Sequence, residues 1–310
     1  MMRLDEAETE RRLGGVDLVA VMRDALRSAA LGDGGGPVRA AFTTPGGLWF
    51  GAMPAWSGGA HPALGAKLVV AVPANAARGL PTHRAVVVLL DPRTGESVAW
   101  VEAEALTRAR TAAVSVVATG ALARRPRGAH AILGAGAQGR AHLAAFARAG
   151  LIARLAVWSR DGEHAAALAA AGRELGLDAS TAATAAEAVR GADVVTTCTA
   201  AGEPLFDASA IAGGAHVNAV GACVAHKREL PAALIADASL VVDDLDAAKA
   251  EAGDVVLAVR DGAASWDGVV ALGAVLAGAA LPRGGRVTVF ESLGLGVEDV
   301  AAASAILRAG

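Results

Sequence analysis

Apolar residues at steps of three and four, Leu13, Val16, Val19, Met22 and Leu26, predict a helix across residues 4–30. The spacing then shortens. After a glycine-rich loop at 31–37, the runs Val38–Phe42, Leu48–Met53, Ala66–Val72, Ala85–Leu90 and Val98–Glu102 read as strands, with a hairpin turn at Asp91–Gly95. A helix is expected over Thr111–Leu122, and Arg124–Gly128 reads as a linker where the periodicity changes again. From there strands and helices alternate. Strands are expected at Ala131–Leu133, Leu155–Trp158, Ala192–Cys198, His216–Val220 and Leu240–Asp244. Helices are expected at His164–Leu175, Ala185–Val189 and Ala247–Ala252. Such alternation predicts an α/β unit, a doubly wound parallel sheet covered on both faces. Near the end, Arg286–Phe290 is strand-like and Val297–Leu307 is a strongly apolar helix.

One turn in this alternation carries chemistry. Between the strand ending at Leu133 and the helical pattern after it stands Gly134-Ala-Gly136-Ala137-Gln138-Gly139. A G-x-G-x-x-G between strand and helix is the dinucleotide fingerprint. Gly134 makes the tight turn, Gly136 leaves bare backbone for the pyrophosphate, and Gly139 lets the helix pack against its strand. The helix N-terminus supplies unpaired N–H groups to the phosphates. An NAD-selective fold places an acid about 20 residues further on, at the end of the second strand. Here that strand runs into Ser159-Arg160-Asp161. A hydroxyl and a guanidinium suit a 2′-phosphate, which favours NADP(H); NAD(H) is the alternative, with Asp161 on the ribose. Thr197, Thr199, Asn218 and Val220 fall at strand ends on the carboxyl edge of the sheet, where cofactors bind.

Composition narrows the function. The chain has 310 residues and 54% hydrophobic residues, enough for a large core. No run reaches the roughly 18 apolar residues of a membrane span, and the charged start MMRLDEAETERRL has no apolar signal core. A net charge of −3 without a basic tract argues against a nucleic-acid partner. The two cysteines, Cys198 and Cys223, lack disulfide or metal spacing, so a cytoplasmic protein without a metal site is expected. With no tyrosine, the chain cannot use the Tyr/Lys proton donor of short-chain reductases. The acid or base must be Lys, His, Cys, Asp or Glu.

Six segments stand in order along the chain: Gly65-Ala-Lys67-Leu, Thr107-Arg-Ala-Arg110-Thr111-Ala-Ala, Gly134–Gly139, Val217-Asn-Ala-Val-Gly221-Ala, Arg228-Glu-Leu230 and Phe290-Glu-Ser-Leu-Gly294. In this order and register they resemble the ornithine cyclodeaminase/mu-crystallin family. The resemblance implies a Rossmann domain, 125–285, inserted into a strand-rich α+β substrate and dimerisation domain, 1–124 completed by 286–310. It also implies a homodimer joined through the N-terminal strands. The implied chemistry is hydride transfer at a carbon bearing an amino or imino group and a carboxylate. Family positions fall on Arg110 and Arg39 as carboxylate cations, Lys67 as proton carrier, and Ser292 and Leu293 against the nicotinamide. Lysine in the apolar run AKLVVAV is costly unless it faces a polar pocket. Cys223 stands where cyclodeaminases carry an aspartate that assists deamination, and Glu291 where relatives often have lysine. The expectation is therefore an NAD(P)H-dependent reductase of a cyclic or open α-imino acid. Two alternatives stand beside it: an ornithine or lysine cyclodeaminase with bound NAD, and a nucleotide-dependent small-ligand-binding protein.

Overall fold

The computed structural model describes residues 1–281 and 285–309. The chain forms two compact units, Met1–Arg110 together with Gly294–Gly310, and Thr111–Leu293. The division falls inside a helix, upstream of the Arg124–Gly128 stretch.

In the first unit, β1 (Met2–Leu4), β2 (Gly34–Gly35), β3 (Ala40–Thr43), β4 (Trp49–Ser57), β5 (Ala63–Ala71), β6 (His83–Leu90) and β7 (Ser97–Glu102) make one mixed sheet. Its order is β1-β7-β6-β5-β4, and both β2 and β3 pair with β4. Strand alternation sorts the residues cleanly. A register row runs Met53–Lys67–Val87–Val101 across the inner face, and all four are buried. The C-terminal helix, Gly296–Arg308, packs on β4, β5 and β6. Its small residues allow a close approach, and a Cβ at Gly296 would stand 2.9 Å from the Met53 carbonyl oxygen. The outer face is apolar and exposed, with Phe42, Trp56, Val98 and Trp100 each more than a third accessible.

Three expectations about this unit change. The single helix expected over 4–30 is two, α1 (Glu6–Leu13) and α2 (Leu18–Ala30). Gly14 and Gly15 end the first, since glycine costs about 1 kcal/mol in a helix interior. Asp17 restarts the second by accepting a bond from the Ala20 N–H at 3.0 Å. The strand expected to stop at Met53 continues through Pro54 to Ser57. On that edge β2 pairs with Trp56 and Ser57, and β3 with Trp49–Ala52, so Pro54 lies between them, where a missing N–H costs the ladder least. The helix expected from Thr111 starts earlier, as α3 (Glu104–Leu122). Its first N–H groups, on Glu104 and Ala105, are capped by the Glu6 carboxylate at 3.2 and 2.5 Å. That cap is supplied by a residue far away in sequence, so no local signal marks the helix start.

The second unit holds the α/β layer that alternation predicts. β8 (Gly128–Leu133), β9 (Ile152–Trp158), β10 (Asp178–Thr181), β11 (Val194–Thr197), β12 (His216–Ala219), β13 (Ala238–Val242), β14 (Val270–Ala271) and β15 (Val287–Glu291) form a parallel sheet. The order is β10-β9-β8-β11-β12-β15-β13-β14. Strand order reverses at β8, the topological switch point beside which open α/β sheets bind ligands. β15 inserts between β12 and β13, which brings Glu291 level with Ala219 and Val242. The polar strand β10 and the helix Gly253–Arg260 are not among the elements expected from the sequence. No described helix is long and apolar enough to cross a membrane. Among the described residues no group of His, Cys, Asp and Glu is placed to hold a metal.

Candidate active site

Two sets of predicted residues come together, one in each unit. In the first unit Lys67, on the inner face of β5, is only 3% exposed. Its ammonium lies 2.7 Å from Asp299 Oδ2. The other oxygen of that carboxylate, Oδ1, accepts from Arg110 Nε at 3.0 Å, and Arg110 Nη1 donates to Glu298 Oε2 at 2.8 Å. All four side chains are buried. Glu298 and Asp299 occupy the first turn of the C-terminal helix, where the helix dipole favours negative charge. A Cβ at Gly294 (φ +80°) would fall 2.5 Å from both Arg110 Nη atoms, so the guanidinium lies against bare backbone there. Arg39 is half-buried, its guanidinium carbon 6.0 Å from the centre of the Trp49 ring.

Charge in this cluster is tuned by burial. Burial lowers Lys67 to about 8 against the pull of Asp299, and the positive charges of Arg110 and Arg39 add to the lowering. Burial pushes Asp299 up, but Arg110 and Lys67 outweigh it and hold the carboxylate below its ordinary value. A lysine near neutrality beside fixed guanidinium groups can bind an anion and move a proton.

In the second unit the glycine turn opens α4 (Ala137–Arg148). Gly134 has φ +109°, and a Cβ there would crowd the Cys198 carbonyl oxygen at 2.6 Å. At Gly136, the N-cap of α4, a Cβ would meet nothing within 4 Å, so the backbone is open to a ligand. A Cβ at Gly139 would collide with the Gly134 carbonyl oxygen, which holds helix and strand close. Ala137 and Gln138 form the first turn of α4, and Gln138 Oε1 is buried with no hydrogen-bond partner among the described residues. Ser292 Oγ is in the same condition. An open helix N-terminus at the switch point, with orphaned polar atoms, fits a dinucleotide.

The remaining predicted residues of this unit lie at strand ends. Ser159 and Arg160 follow β9, with Arg160 exposed. Asp161 is used locally, accepting from the N–H groups of Glu163 and His164 at 2.9 and 3.3 Å as the N-cap of helix Gly162–Glu174. Thr197 is buried at the end of β11, and its carbonyl accepts from Val220 N–H at 2.9 Å. Ser292 N–H donates to the Ala219 carbonyl at 2.8 Å, and Leu293 N–H donates to Asp243 Oδ2 at 2.5 Å. His226 is exposed, and Cys223 is half-buried. His130, His142 and His216 are fully buried, lowered by burial to about 3, 4 and 4, and hydrogen-bond to Thr196, Ser115 and Thr288 respectively.

Sequence reasoning missed the acids. Glu229 Oε1 accepts from Thr199 N–H and Thr199 Oγ1, both at 2.6 Å, and its Oε2 accepts from Gly221 N–H at 2.8 Å. One carboxylate thus ties together the chain leaving β11 and the chain leaving β12. Asp254 in turn accepts from the N–H groups of Glu229 and Leu230, both at 2.7 Å. Burial pushes Asp254 up to about 7. Glu291 is raised well above its ordinary value by burial, then by Asp254, Glu229 and Asp243, and also by Cys223, which favours the neutral acid. The Arg228-Glu-Leu230 motif was visible, yet nothing in its spacing pairs Glu229 with Gly221. Asp299 had one weak signal, an acid in the first turn of an expected helix.

A parallel sheet with a glycine turn at its switch point, next in sequence to an α+β unit with a buried cation cluster, defines a two-unit dinucleotide-binding protein of Rossmann type. The model of the ornithine cyclodeaminase/mu-crystallin family matches residues 1–308, and the chain belongs to this family. It is 37% identical over 295 residues to the ketimine reductase mu-crystallin of Mus musculus, covering 93% of this chain and 90% of that protein. The structure of Thermococcus litoralis Delta(1)-pyrroline-2-carboxylate reductase in complex with NADH and L-proline matches with a TM-score of 0.93 at 28% identity, over 100% of this chain and 97% of that one. An archaeal alanine dehydrogenase dimer with bound NAD matches with a TM-score of 0.92 at 30% identity, over 100% and 95% of the two chains.

Proposed function

We propose that this protein is an NAD(P)H-dependent reductase of cyclic or open α-imino acids, running in reverse as an amino-acid dehydrogenase. The observation that carries this reading is the buried set of Lys67, Arg110, Asp299 and Glu298 with Arg39 nearby, in a chain that matches the pyrroline-2-carboxylate reductase along its full length. Arg110 takes the substrate carboxylate, since a guanidinium offers five donors in a fixed fork. Arg39 adds a second positive charge. Lys67 delivers the proton that the substrate nitrogen gains when the C=N bond is reduced. The bound nicotinamide supplies the hydride.

Gly134, Gly136, Ala137, Gln138 and Gly139 are the proposed pyrophosphate cradle, and Thr197, Thr199, Val220, Ser292 and Leu293 the proposed nicotinamide surround. Ser159 and Arg160 are assigned to a ribose 2′-phosphate, which makes NADP(H) the preferred cofactor. Two observations support this: Asp161 is occupied as a helix cap, and Arg160 is exposed. Arg160→Ala is expected to raise the KM for NADPH about tenfold, the loss of one charge-assisted bond, and to leave that for NADH unchanged. Initial rates with both cofactors check it.

The protein is further proposed to be a homodimer, joined through the outer face of the mixed sheet. Along that face a register row runs Pro54–Ala66–Val88–Trp100, none of it fully buried. A contiguous exposed apolar face of this kind marks an interaction surface. Trp56→Glu combined with Trp100→Glu is expected to convert a dimer to a monomer in sedimentation velocity. A wild-type protein that sediments as a monomer removes this assignment. The free cysteines accord with a cytoplasmic location.

The reaction is tested by following NADPH and NADH oxidation with Δ1-pyrroline-2-carboxylate, Δ1-piperideine-2-carboxylate, and pyruvate with methylamine. Oxidation coupled to formation of the amino acid is expected. Ammonia release from ornithine or lysine without net cofactor consumption, and no rate with any imine, would replace the reductase with a cyclodeaminase.

A further inference from the structure

We infer that Asp299 is a positioning residue for the reduction, holding the Lys67 ammonium in place and setting how firmly it keeps its proton. The inference rests on Lys67 being the proton carrier of the proposed reaction.

The geometry is specific. The two oxygens of Asp299 are divided between two cations, Oδ2 at 2.7 Å from Lys67 Nζ and Oδ1 at 3.0 Å from Arg110 Nε. One carboxylate thereby fixes the spacing between the proposed proton carrier and the proposed carboxylate clamp. Asp299 itself has little freedom. It is fully buried, and its helix begins at Gly296, whose backbone lies against Met53 and Ala55 of β4. Met53 is the register neighbour of Lys67 on the adjacent strand. The strand carrying the cation and the helix carrying the anion are therefore locked together beside the ion pair.

The charges around Lys67 give Asp299 a distinct part. The C-terminal helix contributes Asp299 and, on the Arg110 side, Glu298; α3 contributes Arg110, and the segment before β3 contributes Arg39. The register neighbours on β4 and β6, Met53 and Val87, carry no charge. Burial, Arg110 and Arg39 all push the Lys67 proton off, and Asp299 is what opposes them. Without Asp299 the lysine would give up its proton at lower pH and would lose the 2.7 Å contact that holds its ammonium.

The test is the pH profile of kcat/KM for reduction of Δ1-pyrroline-2-carboxylate in Asp299→Asn. The alkaline limb, expected at about 8 where burial places Lys67, should move down by at least about one pH unit, which lowers kcat/KM about tenfold at a pH about one unit above the wild-type limb and less than about twofold at neutral pH. The imino-acid KM should change by less than about threefold, because the clamp keeps Glu298. Glu298→Gln should do the opposite, raising KM and leaving the limb in place. Asp299→Glu keeps the charge and moves it outward, so its limb should stay near that of the wild type while kcat falls. This variant decides the matter if Asp299→Asn does not fold. A limb that stays put in folded, cofactor-binding Asp299→Asn, or that moves in Asp299→Glu as it does in Asp299→Asn, makes Asp299 merely structural and overturns the inference. The underlying reading fails separately, if Lys67→Met keeps both activity and limb.

Discussion

Lys67→Ala is expected to slow imine reduction by about 10²–10⁴-fold, the usual worth of a positioned proton donor, without weakening cofactor binding. Lys67 is buried on the inner face of the mixed sheet, in a row otherwise made of Met53, Val87 and Val101. Truncation leaves Asp299 its bond to Arg110 but sets two buried carboxylates against one guanidinium, so some stability should be lost, and retained NADPH binding shows that the variant is folded. The pH dependence follows from charge. With Lys67 lowered to about 8 by burial, the ammonium form is present below that value and lost above it. In the proposed role of Lys67 reduction uses the ammonium, so its rate should fall by about tenfold per pH unit beyond the limb. Amino-acid oxidation, which needs the neutral amine to accept a proton, should rise over the same interval. Steady-state rates in both directions and a fluorescence titration with NADPH check this. A Lys67→Ala variant with a rate within tenfold of the wild type removes Lys67 from the mechanism.

Arg110→Ala is expected to damage both affinity and stability, in separable amounts. Loss of the proposed clamp on the substrate carboxylate should raise the imino-acid KM by about 10–100-fold, equivalent to about 1.5–3 kcal/mol. The same change takes the guanidinium from Glu298 and leaves Asp299 only Lys67. Breaking a buried ion pair from one side typically costs about 3–5 kcal/mol, because a charge remains without its counter-ion. Chemical denaturation should show that loss. Adding Glu298→Gln to Arg110→Ala should recover much of the stability and none of the affinity. If the double variant regains KM as well, the guanidinium serves the fold and not the substrate.

Periodicity alone shows the α/β half and most of the strands of the other half. The fingerprint reads well because each glycine answers a local need: a positive φ at Gly134, open space at Gly136, a close approach at Gly139. Those needs belong to a strand–turn–helix of adjacent residues, so spacing displays them. Helix starts read less well. The Asp17 cap sits next to its helix, but the cap of α3 is Glu6. The same difference in reach separates the cations from the anions of the site. Lys67 is conspicuous because a lysine in an apolar run is expensive, whereas Glu298 and Asp299 look like ordinary first-turn acids.

The alternation of apolar residues thus determined most of the strands and that a parallel sheet forms, and the glycine spacing that its first turn suits a dinucleotide. Tertiary structure alone decided that Asp299 divides its oxygens between Lys67 and Arg110, that Glu229 joins Thr199 to Gly221, and that Glu291 is enclosed by other acids. Periodicity and turn chemistry act over a few residues, and a linear pattern records them. The pairing of buried charges is settled by desolvation, which depends on which distant segments exclude water together.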